Sequence, residues 1–306
     1  MESDAAQIAG LILGGTISAG TPVLYAAVGE IVSERAGIVN LGIEGGMLLG
    51  AVSAAWVQLT TGNLFLAILA SATIAAALGL LHGVLVEFAD VGMLASGLCL
   101  FFVGRGLSAF FGEQFVGQLL TGLAPLRIPI LSHLPILGEA LFHQDALVYI
   151  AVVLAACAWY FLVRTRWGLL VRSCGENAQV AFSEGVPVQA IRIAAVAFGS
   201  ALAGLGGAYI ALVFAHTWLQ DLTAGRGWVA LGLVIVARWN PLYAIPAAYL
   251  FGGVISLQLN AQAAGIPVSP YFASALPYLV AIIFLVAAQA WIRSSATPAE
   301  LTRVGK

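Results

Sequence analysis

Apolar residues run through this chain in long blocks, broken by short stretches that carry polar residues, glycine and proline. A helix that crosses a bilayer needs roughly 20 mostly apolar residues. Segments of that kind run from Gln7 to Val28, Ile38 to Gln58, Leu64 to Glu87, Val91 to Phe111, Ala146 to Val163, Ile191 to Phe214, Leu242 to Leu259 and Phe272 to Trp291. A further one, Gly227 to Ala237, is too short to cross comfortably. It is a candidate re-entrant segment, tolerated only where protein or a water-filled cavity surrounds it. The pattern predicts an all-α fold: one polytopic transmembrane helical bundle of about nine hydrophobic segments, filling residues 1–306 without a second domain.

Arginines and lysines near the span ends set the orientation. Arg164, Arg166, Arg172 and Arg192 bracket one loop, and Arg293, Arg303 and Lys306 crowd the C-terminal end, so both are expected in the cytoplasm. Counting back places Arg35 inside and the N-terminus outside, together with the loop from Gly112 to Asp145, provided that the short segment counts as a crossing. That loop has Pro125, Pro129 and Pro135 among apolar residues and is expected to fold back over the membrane domain. MESDAAQ has no positive region ahead of its apolar run, so a cleaved signal is not expected and the first helix stays.

Within the second segment Gly42, Gly46 and Gly50 recur every four residues, a stripe that lets helix backbones approach closely. Gly199, Ala203 and Gly207 repeat the device later. On a helix, Asn40 and Glu44 would share a face nearly opposite to the glycine row. A carboxylate at membrane depth is costly, so this pair has two readings: a polar face on the solute path, or an acid at a helix N-terminus, where negative charge is favoured. Arg105 is equally anomalous inside the fourth segment, and snorkelling to the outer surface is favoured over pairing with Glu44. Trp56, Trp218, Trp228 and Tyr271 near the outer ends, and Trp167, Trp239, Tyr243 and Trp291 near the inner ends, read mostly as interfacial anchors.

Composition narrows the classes. Hydrophobic residues make up 61% and charged residues 8%, with a mean hydropathy of +1.01, far from the roughly 25% charged content of soluble domains. A formal net charge of -2 offers no basic surface for nucleic acid. Cys99, Cys157 and Cys174 lack paired spacing, His82, His133, His143 and His216 are scattered, and no metal, hydrolase or P-loop motif is present. GRGLSA and GRGWVA match a dinucleotide pattern only formally, because neither follows a strand. No metal site, no cofactor held by this chain and no enzymatic activity are expected.

The arginine-bracketed loop, residues 165–190, contains RSCGENAQVAFSEGVPVQAIR, which reads as a short helix able to dock into a partner's groove through Val180, Ala181 and Phe182. It resembles the coupling segment of ATP-binding cassette importer permeases of the branched-chain amino acid, ribose and nucleoside class, approximately RAxGENPxAAxxxGI. Arg172, Gly175, Glu176, Asn177, Ala181 and Gly185 match, whereas Ala178 replaces the proline and Val180 an alanine. ERAGIVNLGIEGGM resembles the nucleoside branch pattern ERxGxxNxGxEGxM through Glu34, Arg35, Gly37, Asn40, Gly42, Glu44, Gly45 and Met47. ARWNP and LPYL agree with later family motifs in the right order.

The resemblance implies a pore half in the bacterial inner membrane. It would pair with a second, related permease, sit on two ATPase subunits that bind ATP and Mg, and receive nucleosides or simple sugars from an extracellular binding lipoprotein. It also places Phe101 on the substrate pathway with Asn40 and Glu44, at a position where relatives often carry asparagine. An ion-coupled secondary transporter using Glu44, Arg105 and Glu87 is the alternative. Co-purification with an ATPase separates the two.

Overall fold

Each long apolar block is helical, and the polar residues between blocks cap the helices. The structure is a computed structural model that describes residues 2–127, 140–265, 270–291 and 297–303. Pro129, His133, Pro135, Arg293 and Lys306 lie outside the described residues, as do the side chains of Tyr271, Trp291 and Arg303. The α-helices are α1 (Glu2–Arg35), α2 (Ile43–Thr61), α3 (Leu64–Phe88), α4 (Met93–Gly112), α5 (Ala146–Arg164) and α6 (Arg166–Glu176). They continue with α7 (Ala178–Ser183), α8 (Val188–Tyr209), α9 (Arg226–Val236), α10 (Pro241–Ala263) and α11 (Pro270–Trp291). A π-helical turn, Ile210–Phe214, extends α8.

The caps follow local chemistry. Side-chain oxygens of Asn63, Asp145, Thr165, Asn177 and Asn240 accept hydrogen bonds from the first amides of α3, α5, α6, α7 and α10, which satisfies donors that a helix start leaves orphaned. Pro241 sits in the first turn of α10, where its missing N–H costs nothing. A two-stranded antiparallel ribbon, Leu126–Arg127 with His143–Gln144, closes the loop before α5. In the same loop Phe115 and Leu120 are buried beside Trp218, so the described part of the loop does fold back.

Among the described residues six helices are long and apolar enough to cross a membrane, not about nine: Gly10–Arg35, Leu64–Phe88, Met93–Phe115, Ala146–Arg164, Val188–Phe214 and Pro241–Ala263. The shortfall has a physical cause. The second segment starts its helix only at Ile43, and Glu44, Gln58 and three glycines dilute its apolar character, whereas the last segment is described as an apolar helix only over Ala275–Phe284. The short segment is an 11-residue half-helix, about 16 Å long.

α8 is central, packing against α1, α2 and α3. Glycines permit this at backbone distance. A Cβ added at Gly50 would lie 2.6 Å from Gly204 Cα, and one at Gly199 would lie 3.1 Å from the Gly29 carbonyl carbon. Gly207 sits against the Met47 carbonyl. The expected row on α2 is split between partners. Gly42 precedes the helix and faces Gly97 and Leu100 of α4, whereas Gly46 and Gly50 face α3 and α8. Ala203 is fully buried, consistent with the second row.

Two expected anchors are core residues instead. Trp218 is 2% exposed and Trp239 8% exposed; the indole N–H of Trp239 donates to Glu34 Oε2 at 2.5 Å. Cys174 also belongs to a buried cluster, with Ala181 and Val188, and burial pushes its thiol above the usual range.

Candidate functional site

Two constellations stand out, one around the α1–α2 connection and the start of α9, and one at the end of the bundle that carries α6 and α7. At the first, α1 ends at Arg35, and residues 38–40, outside regular secondary structure, lead into α2. The backbone groups of that stretch are held by buried side chains. Asn40 N donates to Glu30 Oε1 at 2.7 Å, and Val39 O lies 3.1 Å from His82 Nε2. A carbonyl only accepts, so Nε2 carries the proton and Nδ1 accepts from Ser96 Oγ at 3.0 Å.

Asn40 and Glu44 therefore do not share a helix face, because Asn40 precedes the helix. Its amide donates to Ser200 Oγ on α8 at 2.9 Å, and its Oδ1 accepts from Gly42 N at 3.0 Å. Glu44 points elsewhere, onto the start of α9. Its Oε1 accepts from Thr223 Oγ1 at 2.5 Å and Gly225 N at 2.8 Å, and its Oε2 accepts from Gly227 N at 2.6 Å. Glu44 is thus an acid at two helix N-termini: it lies in the first turn of its own α2, and its carboxylate accepts from the first amides of α9.

Gly227 is required by that fit: a Cβ there would lie 2.7 Å from Glu44 Oε2 and 2.8 Å from Glu44 Cα. Arg226, the first residue of α9, lays its guanidinium 5.2 Å from the centre of the Phe214 ring, within cation–π range.

Arg105 does not pair with Glu44; it is partly exposed and bound to Asp221. Its Nε and Nη2 each donate to a separate oxygen of Asp221 at 2.7 Å. Phe101, one helical turn away, is half-buried, with its ring centroid 5.3 Å from that of Trp228 at the start of α9. The hydroxyl of Tyr278, from the LPYL stretch, donates to the Ala224 carbonyl.

At the other constellation the segment 165–190 is two helices joined by a capping residue, not a loop around one helix. Asn177 ends α6 and caps α7 through Val180 N at 3.1 Å. Gly185, at φ +81°, turns the chain toward α8, a backbone conformation natural for glycine. Phe182 is 74% exposed and Val180 57% exposed, but Ala181 is buried beneath them and is not presented outward as expected. Arg172 and Glu176 lie in the later turns of α6, and Gly175 rests against the Arg35 carbonyl.

Sequence reasoning used Arg192 only for orientation and missed its main role. Buried at the start of α8, it donates to Ala36 O at 3.0 Å, to Cys174 O at 3.1 Å and to Glu87 Oε1 at 3.1 Å. Glu300 lies 3.7 Å from its Nη2 and accepts from Ala178 N, the first amide of α7, at 3.3 Å. One guanidinium thus ties together the ends of α1, α3 and α6, while Glu300 links it to α7. Its five donors in a fixed fork suit such a junction. Among the described residues no cluster of three His, Cys, Asp or Glu side chains suited to a metal is present.

Comparison with known proteins identifies the family. The family model described as branched-chain amino acid transport system / permease component matches residues 12–287. A putative glucose ABC transporter permease protein, TsgC13 of Haloferax volcanii, is 39% identical over 85% of this chain and 80% of its own length. The nucleoside ABC transporter permease protein NupC of Lactococcus lactis is 35% identical over 90% of this chain and 91% of its own. The guanosine ABC transporter permease protein NupQ of Bacillus subtilis is 30% identical, covering 84% of the chain, and 84% of NupQ is matched. No solved structure matches.

Proposed function

This chain belongs to the branched-chain amino acid transport system permease family and is a multi-pass permease subunit of an ATP-binding cassette transporter in the inner membrane, and we propose that it imports nucleosides or simple sugars. In this reading it pairs with a second, related permease, rests on two ATPase subunits that hold ATP and Mg, and takes solute from an extracellular binding protein. The observation that carries the reading is α7. It presents Phe182 and Val180 outward and is joined through Glu300 and Arg192 to the ends of α1 and α3. An exposed aromatic on a short helix fits a partner's groove, and the Arg192 junction gives a path from that groove into the membrane helices.

The solute class follows the relatives, whose names divide between nucleosides, guanosine and glucose. In place of a pore-lining role, Asn40 and Glu44 support the pathway from behind, one holding the entry to α2 and the other the start of α9. The test is co-purification with the ATPase subunits and ATP-dependent uptake of labelled guanosine and of glucose by reconstituted vesicles. Phe182→Asp should insert normally but lose the ATPase. Uptake driven by an ion gradient without ATP would favour a secondary transporter instead.

A further inference from the structure

The Arg105–Asp221 pair is partly exposed, with Arg105 on a helix long and apolar enough to cross a membrane. Arg105 falls near the middle of the candidate span Met93–Phe115, about 18 Å along the helix from its first residue. The two side chains are nevertheless 46% and 43% exposed. Charges at that depth belong to water-filled cavities or protein interiors.

The backbone beside them gives the same answer independently. Between Phe214 and Arg226 the chain is largely irregular, with positive φ at His216, Asp221, Ala224 and Gly225. Irregular backbone at membrane depth is tolerated only against protein or water. Neither Asp221 nor Ala224 is covered by the rest of the chain.

The geometry points to this face as the water-lined side of the solute path, with the Arg105–Asp221 pair as a grip for a neutral, hydroxyl-rich ring. A matched guanidinium and carboxylate offer donors and acceptors together without net charge, which suits sugar hydroxyls better than a phosphate or an amine. Aromatic surface for the ring's apolar face is adjacent. Phe101 meets Trp228 at 5.3 Å, and Phe102, 57% exposed, lies 5.0 Å from Phe101. The solute class rests on the permease reading above, whereas the water-lined face does not.

Single cysteines at Asp221 and at Phe102, in a Cys99→Ser, Cys157→Ser background and in the assembled complex, test the water-lined face. A charged, membrane-impermeant thiol reagent should modify both, and guanosine or glucose should slow the reaction. Absence of modification at both positions would overturn the proposal. Asp221→Asn and Arg105→Gln should each lower uptake at least tenfold at subsaturating solute while complex yield and ATP hydrolysis stay within twofold. Wild-type uptake by both variants would overturn the grip. If both cysteines react but the wild-type complex takes up neither solute, the solute class fails and the water-lined face stands.

Discussion

Glu44 of α2 closes the N-terminus of α9, with its carboxylate 2.6 Å from the amide of Gly227 and 2.8 Å from that of Gly225. Glu44→Gln keeps the shape but turns one acceptor into a donor facing an N–H. Stability of the purified chain should fall by about 1–3 kcal/mol, the cost of leaving a buried polar group unpaired. Glu44→Ala should fall further. Thermal unfolding in detergent measures both, and an unchanged melting temperature for Glu44→Gln would remove the capping role.

The glycines of α2 should differ sharply in tolerance. At Gly46 an added Cβ meets Ala75 Cβ at 3.9 Å, an ordinary contact, whereas at Gly50 it meets the backbone of Gly204 at 2.6 Å. Gly46→Ala should therefore match or slightly exceed wild type, because alanine favours a helix by up to about 1 kcal/mol. Gly50→Ala should lose most of the monodisperse protein in size-exclusion chromatography. Equal yields would contradict the packing described.

Arg192→Met leaves the Glu87 side chain, 9% exposed, facing no guanidinium. Removing one partner of a buried ion pair costs about 3–5 kcal/mol. Glu87→Gln added to Arg192→Met should recover part of that loss, since the stranded charge goes with it. A double variant no more stable than the single would show that the carbonyl bonds to Ala36 and Cys174 dominate.

Orientation can be read by labelling in the same cysteine-substituted background. Leu119→Cys, at a position 84% exposed, should react from outside, and Val180→Cys should react from the cytoplasm. Reaction of both from one side would overturn the assignment.

Most of the helices were legible in the sequence because apolar length and capping residues are local properties. Asn63, Asp145 and Asn240 stand at the boundaries that the pattern predicts. The fate of the charged residues was not. Arg105 meets Asp221 across 116 positions, and Glu44 meets Thr223 across 179, pairings that depend on how a half-helix folds back. The helical offset argument for Asn40 failed because it assumed helix through residues 38–42, where the chain is irregular and turning. Trp218 and Trp239 were misread for a related reason: a large amphipathic ring suits a membrane surface or a core, and only tertiary structure decides, burying Trp218 in an apolar cluster with Phe115 and Leu120 and Trp239 against Glu34.

α8 meets its neighbours through bare backbone, at Gly199 on Gly29, Gly204 on Gly50 and Gly207 on Met47. Such seams have no rotamers to exchange, so small relative slips are met by hard repulsion rather than by repacking. The block of α1, α2, α3 and α8 should move as a single rigid stator during a transport cycle, and the compliance must reside elsewhere. α9 is the candidate: it is short, and its glycine contact to the backbone of Glu44 lies in its first turn, beside hydrogen bonds that can exchange. Spin-label distances between α2 and α8 should stay constant across nucleotide states while those from α9 to α8 change, which makes the half-helix the rotor of the cycle.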